Sequence, residues 1–483
     1  MIKYVGVFIL AFLLYLPLCF SHNLWVDELF TMRMVQESFM GIIHETIVQD
    51  THTPFYYLFL KGWMLLFGSH SPIVGRFFSF FWLLMTLGLG IFPIRRLFGD
   101  KTALTFIFLT LFLPVSLYIG VDIRMYSMAL FFMTGLTVYA IAILRTNQTS
   151  DKLIFSIMTL GALYCHYYTT MGTGIIYAFL GIMLMLKNRS LYRGFLWFWI
   201  SVFINALLFL PWLIVFFQQT ASVYDTWWVT TNSIPGVFSF LTKPKVWLPL
   251  SACGLVVFGI FVTLFWGTIV GGLIFSKKLF SKQDRIIFFL LPTVFLTVLS
   301  ISILISYTLR PMLIWRYTIP FFGLFYLAVA MCLAKITFLR RIILVLSFVV
   351  CCFAWPQAKN RMYDPTYDTL VTKFQELPNN TLFAAPNTRI YMWMKHYLPN
   401  RPVIQLYMKN EQVFFNNLKE RKKLLNAFKN KKYQTITIMN DAGECDHPLK
   451  TLYYPNVEYC LFRLTPELFN LALMRQTDNS KTP

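Results

Sequence analysis

Long apolar runs separated by short polar loops dominate the first 357 residues of the chain. Runs close to 20 residues long are typical of transmembrane helices, because a helix of that length crosses the hydrocarbon core of a bilayer. The pattern therefore predicts a polytopic α-helical membrane protein with about 11 transmembrane helices. The predicted spans are 3–20, 72–93, 102–120, 126–144, 153–165, 170–186, 195–217, 249–275, 286–306, 316–334 and 342–357.

Two apolar stretches depart from this simple pattern. Residues 153–186 are too long for one span and contain a polar, Tyr- and His-bearing sequence at 164–168. Two short spans that meet at this polar sequence fit the stretch best. Residues 55–68 are also apolar, but they are short for a span and carry Lys61, so they are predicted to form an interfacial helix.

The pattern changes near residue 358, where the apolar runs give way to polar sequence rich in Asn and Lys. Short runs of β-branched and aromatic residues predict strands, and helical patterns lie between them. This alternation indicates a small α/β domain over 358–483, after a membrane module over 1–357. The predicted strands are Thr381–Ala385, Val403–Tyr407, Thr435–Met439 and Tyr459–Leu464, and the predicted helices are Thr388–Tyr397 and Glu411–Phe428.

Composition agrees with the apolar pattern, since 57% of the residues are hydrophobic and the mean hydropathy is +0.60. A soluble globular protein does not carry that much apolar surface. The net charge of +21 would fit nucleic-acid binding, but of the 24 Lys and Arg before residue 356, 15 lie in short clusters between spans and Lys3 lies at the start of the first span. That distribution is the positive-inside pattern and places those loops in the cytoplasm, so no nucleic-acid partner is predicted.

The charge pattern also sets the predicted topology. With the basic loops inside, an odd number of spans places the 358–483 domain on the extracytoplasmic side of the inner (plasma) membrane. Cys445 and Cys460 would then lie in an oxidising compartment and could form a disulfide. The loops predicted to lie outside are 21–71, 121–125, 166–168, 218–248 and 307–315.

Acidic residues are concentrated in the first outer loop, 21–71. Five of the ten Asp and Glu before residue 356 lie there: Asp27, Glu28, Glu37, Glu45 and Asp50. Acidic groups at a bilayer boundary are costly and usually serve chemistry, ions or substrate. A structural alternative is that Asp27 and Glu28 cap an interfacial helix at its positive end. A cap requires neither two carboxylates nor the later Asp50-x-His52 sequence, so a functional site is favoured.

Other polar and aromatic residues recur where spans reach the outer face. A cavity that they lined would offer carboxylates for proton abstraction, arginines for a phosphate and aromatic rings for a sugar or lipid. Taken singly, Arg76 and Arg316 also fit interface anchors, and His166 fits a packing histidine. His44, His52 and Asp50 could bind a divalent metal, although their spacing is weak. The candidates beyond the first acidic pair are Asp50, His52, Tyr56, Arg76, Arg124, Tyr126, His166, Arg316 and Tyr317.

The order of these residues resembles that of the GT-C glycosyltransferases. Trp-x-Asp-Glu at 25–28 precedes Asp-x-His-x-Pro-x-Tyr-Tyr at 50–57, and Arg76, Arg-Met-Tyr at 124–126, His-Tyr-Tyr at 166–168 and Arg-Tyr at 316–317 follow in turn. The pattern is most similar to bacterial relatives of the protein O-mannosyltransferases and of the lipid A aminoarabinose transferase. It covers roughly residues 1–335, including the basic Arg-Arg-Leu-Phe-Gly at 95–99. The family usually has two prolines where this chain has Thr53-Pro54.

The resemblance implies an enzyme that transfers a sugar from a polyprenyl-phosphate donor to a lipid, glycan or protein acceptor. Direct displacement would invert the sugar carbon, by analogy with glycoside chemistry. The resemblance assigns the catalytic role to Asp27, with Glu28 beside it. It makes Arg124, Arg316 and Arg76 candidates to bind the donor phosphate, and the remaining candidates to bind substrate. It identifies no cofactor with certainty, and it leaves open whether the enzyme requires a divalent metal. A lipid-linked donor also needs no nucleotide site, and the sequence has no phosphate-binding Gly-rich loop.

Two other functions remain as alternatives. A polytopic lipid or solute transporter or flippase would also carry charges within its membrane segments, but usually near the midplane, on broken helices and often with internal repeats. An O-antigen ligase or polymerase would act at the same face on a lipid-diphosphate donor. Such an enzyme would require more arginines in one outer loop than this chain has.

Overall fold

The computed structural model describes residues 2–187, 192–222, 251–385, 388–409, 412–415, 435–441, 451–453 and 457–463. Up to residue 362 the described chain is mainly helical, with a π-helical turn at Gly90–Ile94 and a 3-10 helix at Trp315–Phe321. The α-helices of this part are Ile2–Cys19 (α1), Val26–Met34 (α2), Phe39–Gln49 (α3), Phe55–Leu66 (α4), Pro72–Leu89 (α5), Arg95–Phe112 (α6), Pro114–Ile119 (α7), Tyr126–Thr146 (α8), Thr149–Cys165 (α9), Tyr167–Lys187 (α10), Tyr192–Ser222 (α11), Ala252–Ile274 (α12), Ser276–Leu279 (α13), Lys282–Thr308 (α14), Phe322–Leu333 (α15) and Thr337–Met362 (α16).

The predicted polytopic architecture is confirmed, although the number of spans differs from the prediction. Within the described residues, eight helical stretches are long and apolar enough to cross a membrane, by length and composition. About 11 were predicted from the apolar runs. The difference arises because α5 and α6 count as one stretch, α9 has only 17 residues, and α1 is counted over Tyr4–Cys19 alone.

The helices differ in how far other parts of the protein cover them. In α8 and in the stretch Trp315–Leu333, 89% of the apolar window is buried by protein, whereas in α11 the figure is 22%. Because a lipid-facing helix can leave apolar side chains exposed at no cost, α8 and α15 form the centre of the helical bundle and α11 lies at its periphery.

The chain reverses direction between α5 and α6, so they form a hairpin. Gly99 lies in the left-handed region with φ 81°, which glycine adopts readily because it has no Cβ. A Cβ built on Gly90 would collide with the side chain of Ile107, whereas in one straight helix these residues would be about 25 Å apart. The hairpin arms correspond to the predicted spans at 72–93 and 102–120.

Two breaks in the helices bear on the prediction. The second arm of the hairpin does not run to residue 120, because Pro114 holds Leu113 in an extended conformation, with ψ 141°, and α6 ends at Phe112. The polar sequence inside 153–186 does separate two helices, as predicted. His166, with φ −163° and ψ 142°, is the extended residue between α9 and α10.

The C-terminal part contains the predicted small α/β fold. Its elements are the helices Pro365–Glu376 (α17) and Thr388–Tyr397 (α18) and the strands Thr381–Ala385 (β1), Val403–Lys409 (β2), Gln412–Phe415 (β3), Thr435–Asp441 (β4), Thr451–Tyr453 (β5) and Val457–Arg463 (β6). The strands form one sheet in the order β3-β2-β1-β4-β6-β5. β1 pairs in parallel with β2 and β4, and the other pairs are antiparallel.

One predicted element of this domain is wrong at its start. A helix was predicted over Glu411–Phe428, but Gln412–Phe415 is a strand that pairs antiparallel with Leu406–Lys409. Its Val-Phe-Phe sequence suits a sheet, and pairing with β2 outweighs the helical pattern that follows it. Residues 416–428 lie outside the described residues, as does Cys445, so its disulfide with Cys460 stays a prediction.

The chain divides into two compact units. One comprises residues 1–22 and 34–362, and the other comprises 23–33 and 363–483. Within the second unit, the Asn23 side chain donates to the Asp364 carbonyl at 3.0 Å, and the Leu24 main-chain N–H donates to the Tyr397 hydroxyl at 2.8 Å. These bonds join the segment that carries Asp27 and Glu28 to the C-terminal part of the chain.

Candidate functional site

Asp50 is the hub of a buried polar cluster in the first unit. It follows the last residue of α3, and its Oδ1 accepts hydrogen bonds from the Thr51 main-chain N–H at 2.7 Å and from His52 Nδ1 at 2.9 Å. The Tyr57 hydroxyl, on the first turn of α4, donates to Asp50 Oδ2 at 2.7 Å. Asp residues favour such local bonds to the following main chain, and these bonds hold the 50–57 loop in one conformation.

The environment keeps Asp50 ionised. Burial alone would raise the pKa of this carboxyl group. The charge and hydrogen bond of His52, followed by the charge of Arg124 and the bond from Tyr57, outweigh burial and lower the pKa to about 2. An ionised carboxylate only accepts hydrogen bonds, so His52 Nδ1 carries the proton that points at Asp50.

Arg124 places a positive charge beside this carboxylate. It lies in the loop before α8, is only 4% exposed, and donates from Nη1 to the Tyr57 hydroxyl at 3.4 Å. A tight turn, in which the Arg124 main-chain N–H donates to the Asp122 carbonyl at 2.7 Å, fixes its backbone. Tyr57 therefore bridges Asp50 and Arg124, and the opposite charges compensate each other's burial.

His166 lies at the centre of an aromatic group next to these charges. Its ring centroid is 4.8 Å from that of Tyr317, 5.7 Å from Tyr168, 5.9 Å from His52 and 6.3 Å from Tyr126. Burial, followed by the positive charges of His52, Arg124 and Arg316, holds the pKa of His166 well below its usual range. The imidazole of His166 is therefore neutral.

Arg316 and Tyr317 reach the same region from the 3-10 helix Trp315–Phe321. Arg316 is half-buried, and its positive charge is one of those that, after burial, lower the pKa of His166. The Tyr317 ring packs against those of His166 and Tyr168. The structure thus brings together Asp50, His52, Arg124, Tyr126, His166, Arg316 and Tyr317, which the sequence predicted as site residues.

Arg76 and Tyr56 make contacts of a different kind. Arg76 is fully buried and donates to main-chain carbonyls, from Nε to Ser21 at 3.1 Å and from Nη1 to Val121 at 2.8 Å. These bonds join the end of α1 to the loop before α8. The Tyr56 hydroxyl lies 3.4 Å from Ser79 Oγ. Binding of donor or substrate by Arg76 and Tyr56 stays a prediction.

Asp27 and Glu28 occupy the first turn of α2, in the second unit. Glu28 is 1% exposed, and its Oε2 accepts the Trp25 main-chain N–H at 3.2 Å. A glutamate that reaches back over three residues in this way caps a helix N-terminus. Asp27 is partly exposed, and its main-chain carbonyl accepts the Thr31 hydroxyl at 2.8 Å. Glu28 therefore forms the helix cap that was the structural alternative for the acidic pair.

A metal site was also considered from the sequence. Across the described residues, no three His, Cys, Asp or Glu side chains are grouped so that they could hold a metal ion. Asp50 and His52 bond to each other, while His44 is largely exposed, 3.9 Å from Glu45. A dependence on a divalent metal stays a prediction without an assigned ligand set.

Sequence reasoning missed Gln219, a buried amide in the last turn of α11. Its Nε2 donates to the carbonyls of Thr46 at 2.8 Å and of His52 at 3.3 Å, and its Oε1 accepts the Tyr167 hydroxyl. Gln219 thus connects the end of α11 to both sides of Asp50. In the sequence, Gln219 is one of two adjacent glutamines at the end of a long apolar run. That position alone does not distinguish a buried amide from a solvated one.

The comparisons with known proteins concern the fold. Neither a protein-family model nor a curated protein matches the chain. ArnT from Cupriavidus metallidurans in the apo state is similar in structure, with a TM-score of 0.59, 12% sequence identity and coverage of 95% of this chain and 97% of that chain. For ArnT bound to undecaprenyl phosphate the TM-score is 0.60, with the same identity and coverage.

The oligosaccharyltransferase of Archaeoglobus fulgidus, in a structure with Zn and sulfate, has a TM-score of 0.44 and 12% identity, over 90% of this chain and 67% of that chain. The ArnT similarity extends over nearly the whole of both chains. This protein therefore has the fold of ArnT, and the similarity of fold that the order of its sequence motifs predicts is confirmed.

Proposed function

We propose that this protein is a membrane glycosyltransferase that moves a sugar from a polyprenyl-phosphate donor to an acceptor at the outer face of the membrane. The observation that carries the proposal is the buried cluster at the helix ends, in which Arg124 and Arg316 act on the same neutral histidine, His166. An arginine pair beside aromatic rings suits a lipid-linked phosphate that carries a sugar. The ArnT fold supports the proposal, since one ArnT structure holds undecaprenyl phosphate.

The positive charges of the cluster support the departure of a phosphate. As the bond between the sugar and the phosphate breaks, its electron pair passes to the phosphate oxygen, and negative charge develops there. Preorganised positive groups in a site that excludes water stabilise such a charge far better than water does. Arg124 is buried and held by Tyr57, so it needs little rearrangement before the reaction.

Asp27 is the proposed base, in keeping with the family that the motifs resemble. Its carboxylate takes the proton from the acceptor's hydroxyl or amine as the acceptor's oxygen or nitrogen bonds to the sugar carbon. Displacement in a single step inverts that carbon and forms no covalent intermediate with the enzyme, by analogy with inverting glycosidases. Glu28, which caps α2, keeps the turn that carries Asp27 in place.

Mass spectrometry of membrane lipids and surface glycans, with and without the gene, tests the proposal. We expect one sugar to be lost from one acceptor and its polyprenyl-phosphate donor to accumulate. Restoring the gene should reverse both changes. If the acceptor keeps all its sugars while an intact lipid accumulates on one side of the membrane, the protein is a flippase or transporter. Accumulation of a lipid diphosphate instead would indicate a ligase or polymerase.

Gln219 allows a test of how the cluster is positioned. Gln219→Leu removes the donor to the Thr46 and His52 carbonyls and leaves both without that bond. We expect kcat/KM for sugar transfer to fall roughly 10- to 100-fold, because small displacements of a binding loop cost that much. Gln218→Leu is the matched control, since Gln218 is the exposed neighbour on the same helix. Equal activity of the two variants would remove Gln219 from the positioning of the site.

A further inference from the structure

His166 has a fixed tautomer because of the break between α9 and α10. The Tyr168 main-chain N–H donates to His166 Nδ1 at 3.1 Å. A main-chain N–H only donates, so Nδ1 must be the nitrogen without a proton. In a neutral imidazole the proton then lies on Nε2. The backbone of the break therefore makes His166 a donor at Nε2.

Hydroxyl groups hold this break in place. Thr169 Oγ1 lies 2.5 Å from the Ala162 carbonyl and 2.6 Å from the His166 carbonyl. Thr170 Oγ1 donates to the Leu163 carbonyl at 3.0 Å. These bonds satisfy carbonyls at the end of α9 that no longer have helical partners. The His166 ring, packed against Tyr317, is thus presented by a rigid backbone.

The donor at Nε2 is buried, and within the described part of the chain it has no hydrogen-bond partner. His166 is 4% exposed. Most buried polar atoms in proteins are hydrogen-bonded, and an exception calls for an explanation such as a ligand. The atom that occupies this position has to accept a hydrogen bond.

The charges around His166 indicate which acceptor fits. Besides burial, the positive charges of His52, Arg124 and Arg316 disfavour protonation of this ring, and the two arginines attract an anion beside it. An anionic oxygen is therefore favoured over a neutral hydroxyl or a water molecule. Because the imidazole is neutral, it adds a directed hydrogen bond without further repulsion between Arg124, Arg316 and itself.

We infer that His166 Nε2–H binds an oxygen of the donor's phosphate, as a neutral third ligand beside Arg124 and Arg316. This inference rests on the proposed function. His166 then contributes, together with the two arginines, to the preference for a phosphorylated polyprenyl lipid over the same lipid without phosphate. Tyr317 and Tyr168 shield the hydrogen bond from water, which strengthens it.

Binding of undecaprenyl phosphate to the full-length protein in nanodiscs tests the inference, with undecaprenol and inorganic phosphate as the other two probes. His166→Phe keeps an aromatic ring against Tyr317 but has no donor. We expect it to bind undecaprenyl phosphate roughly 10- to 100-fold more weakly and undecaprenol as the wild type does. His166→Gln keeps an N–H donor and should recover most of the affinity. If the wild type binds inorganic phosphate only weakly, the affinity requires a phosphate that is attached to the polyprenyl lipid.

The outcomes separate this inference from the proposed function. If the wild type binds undecaprenyl phosphate no better than undecaprenol, the donor class in the proposed function is wrong. If the wild type prefers the phosphate and His166→Phe keeps that preference, His166 is a packing residue and only the inference fails. Should His166→Phe not fold, solid-state NMR of ¹⁵N-histidine in the wild type decides. The protonated Nε2 signal of His166 has to shift on addition of undecaprenyl phosphate, and an unchanged signal overturns the inference.

Discussion

Asp27→Asn is expected to lower the rate of sugar transfer by about 100- to 10,000-fold, the usual cost of removing a general base. Asparagine keeps the size of aspartate and its ability to accept hydrogen bonds, so loss of basicity is the main change. Asp27 is partly exposed, in the first turn of α2, where an acceptor can reach it. Initial rates with a polyprenyl-phosphate sugar and purified protein measure the effect.

Glu28→Gln provides the matched control for Asp27→Asn. The Glu28 carboxylate accepts the Trp25 main-chain N–H, and a glutamine oxygen can accept the same bond. Neighbouring side chains on a helix point in different directions, so the two carboxylates cannot exchange roles. We expect Glu28→Gln to lose much less activity than Asp27→Asn. A folded and inserted Asp27→Asn that transfers sugar at the wild-type rate would falsify the proposed mechanism.

The sequence predicted those parts of the fold that depend on local pattern. Apolar runs of about 20 residues predict spans because the bilayer fixes the length that a helix must have. The break at His166 was predictable for the same reason, since a polar sequence interrupts a run too long for one span. In the C-terminal domain, β1 and the helix Thr388–Tyr397 have the predicted bounds, because both are short, strongly patterned segments.

Errors arose where a local pattern was ambiguous or where distant residues decided the structure. Gln412–Phe415 was assigned to a helix, and only its pairing with β2 makes it a strand. The end of α6 at Phe112 carried a local signal, Pro114, that the long apolar run obscured. The bonds from Gln219 to the carbonyls of Thr46 and His52 join residues far apart in the chain, and no spacing rule predicts them.

The sequence predicted which residues form the site, but it did not predict the hydrogen bonds that connect them. The ordered motifs brought Asp50, Arg124 and His166 into one hypothesis, and the structure brings them into one cluster. Tyr57, which joins Asp50 to Arg124, lay within a quoted motif, yet nothing in the sequence singled it out. Likewise, the sequence does not show whether an arginine at the start of a span binds a ligand or main-chain carbonyls. Arg76 binds main-chain carbonyls.

Arg124→Ala and Arg316→Ala are each expected to cost several kcal/mol of transition-state stabilisation, or about 100- to 1,000-fold in transfer rate. Each removes a positive charge that acts at His166. Arg341→Ala is the matched control, because Arg341 is an exposed arginine on α16, and it should transfer at the wild-type rate. Thermal unfolding in detergent has to show that the variants fold, above all Arg124→Ala, which leaves Asp50 buried with one positive neighbour fewer.

The division of the loss between kcat and KM tests whether these arginines act on the departing phosphate. The phosphate is already anionic in the bound donor, so loss of an arginine should raise KM for the donor. It gains further charge as its bond to the sugar breaks, and an interaction that grows toward the transition state appears in kcat. We therefore expect the larger loss in kcat. Lysine should restore only part of it, because a point charge lacks the planar pair of donors that arginine offers to phosphate oxygens. Full activity in both alanine variants would make Arg124 and Arg316 structural residues, and the phosphate would have to bind elsewhere.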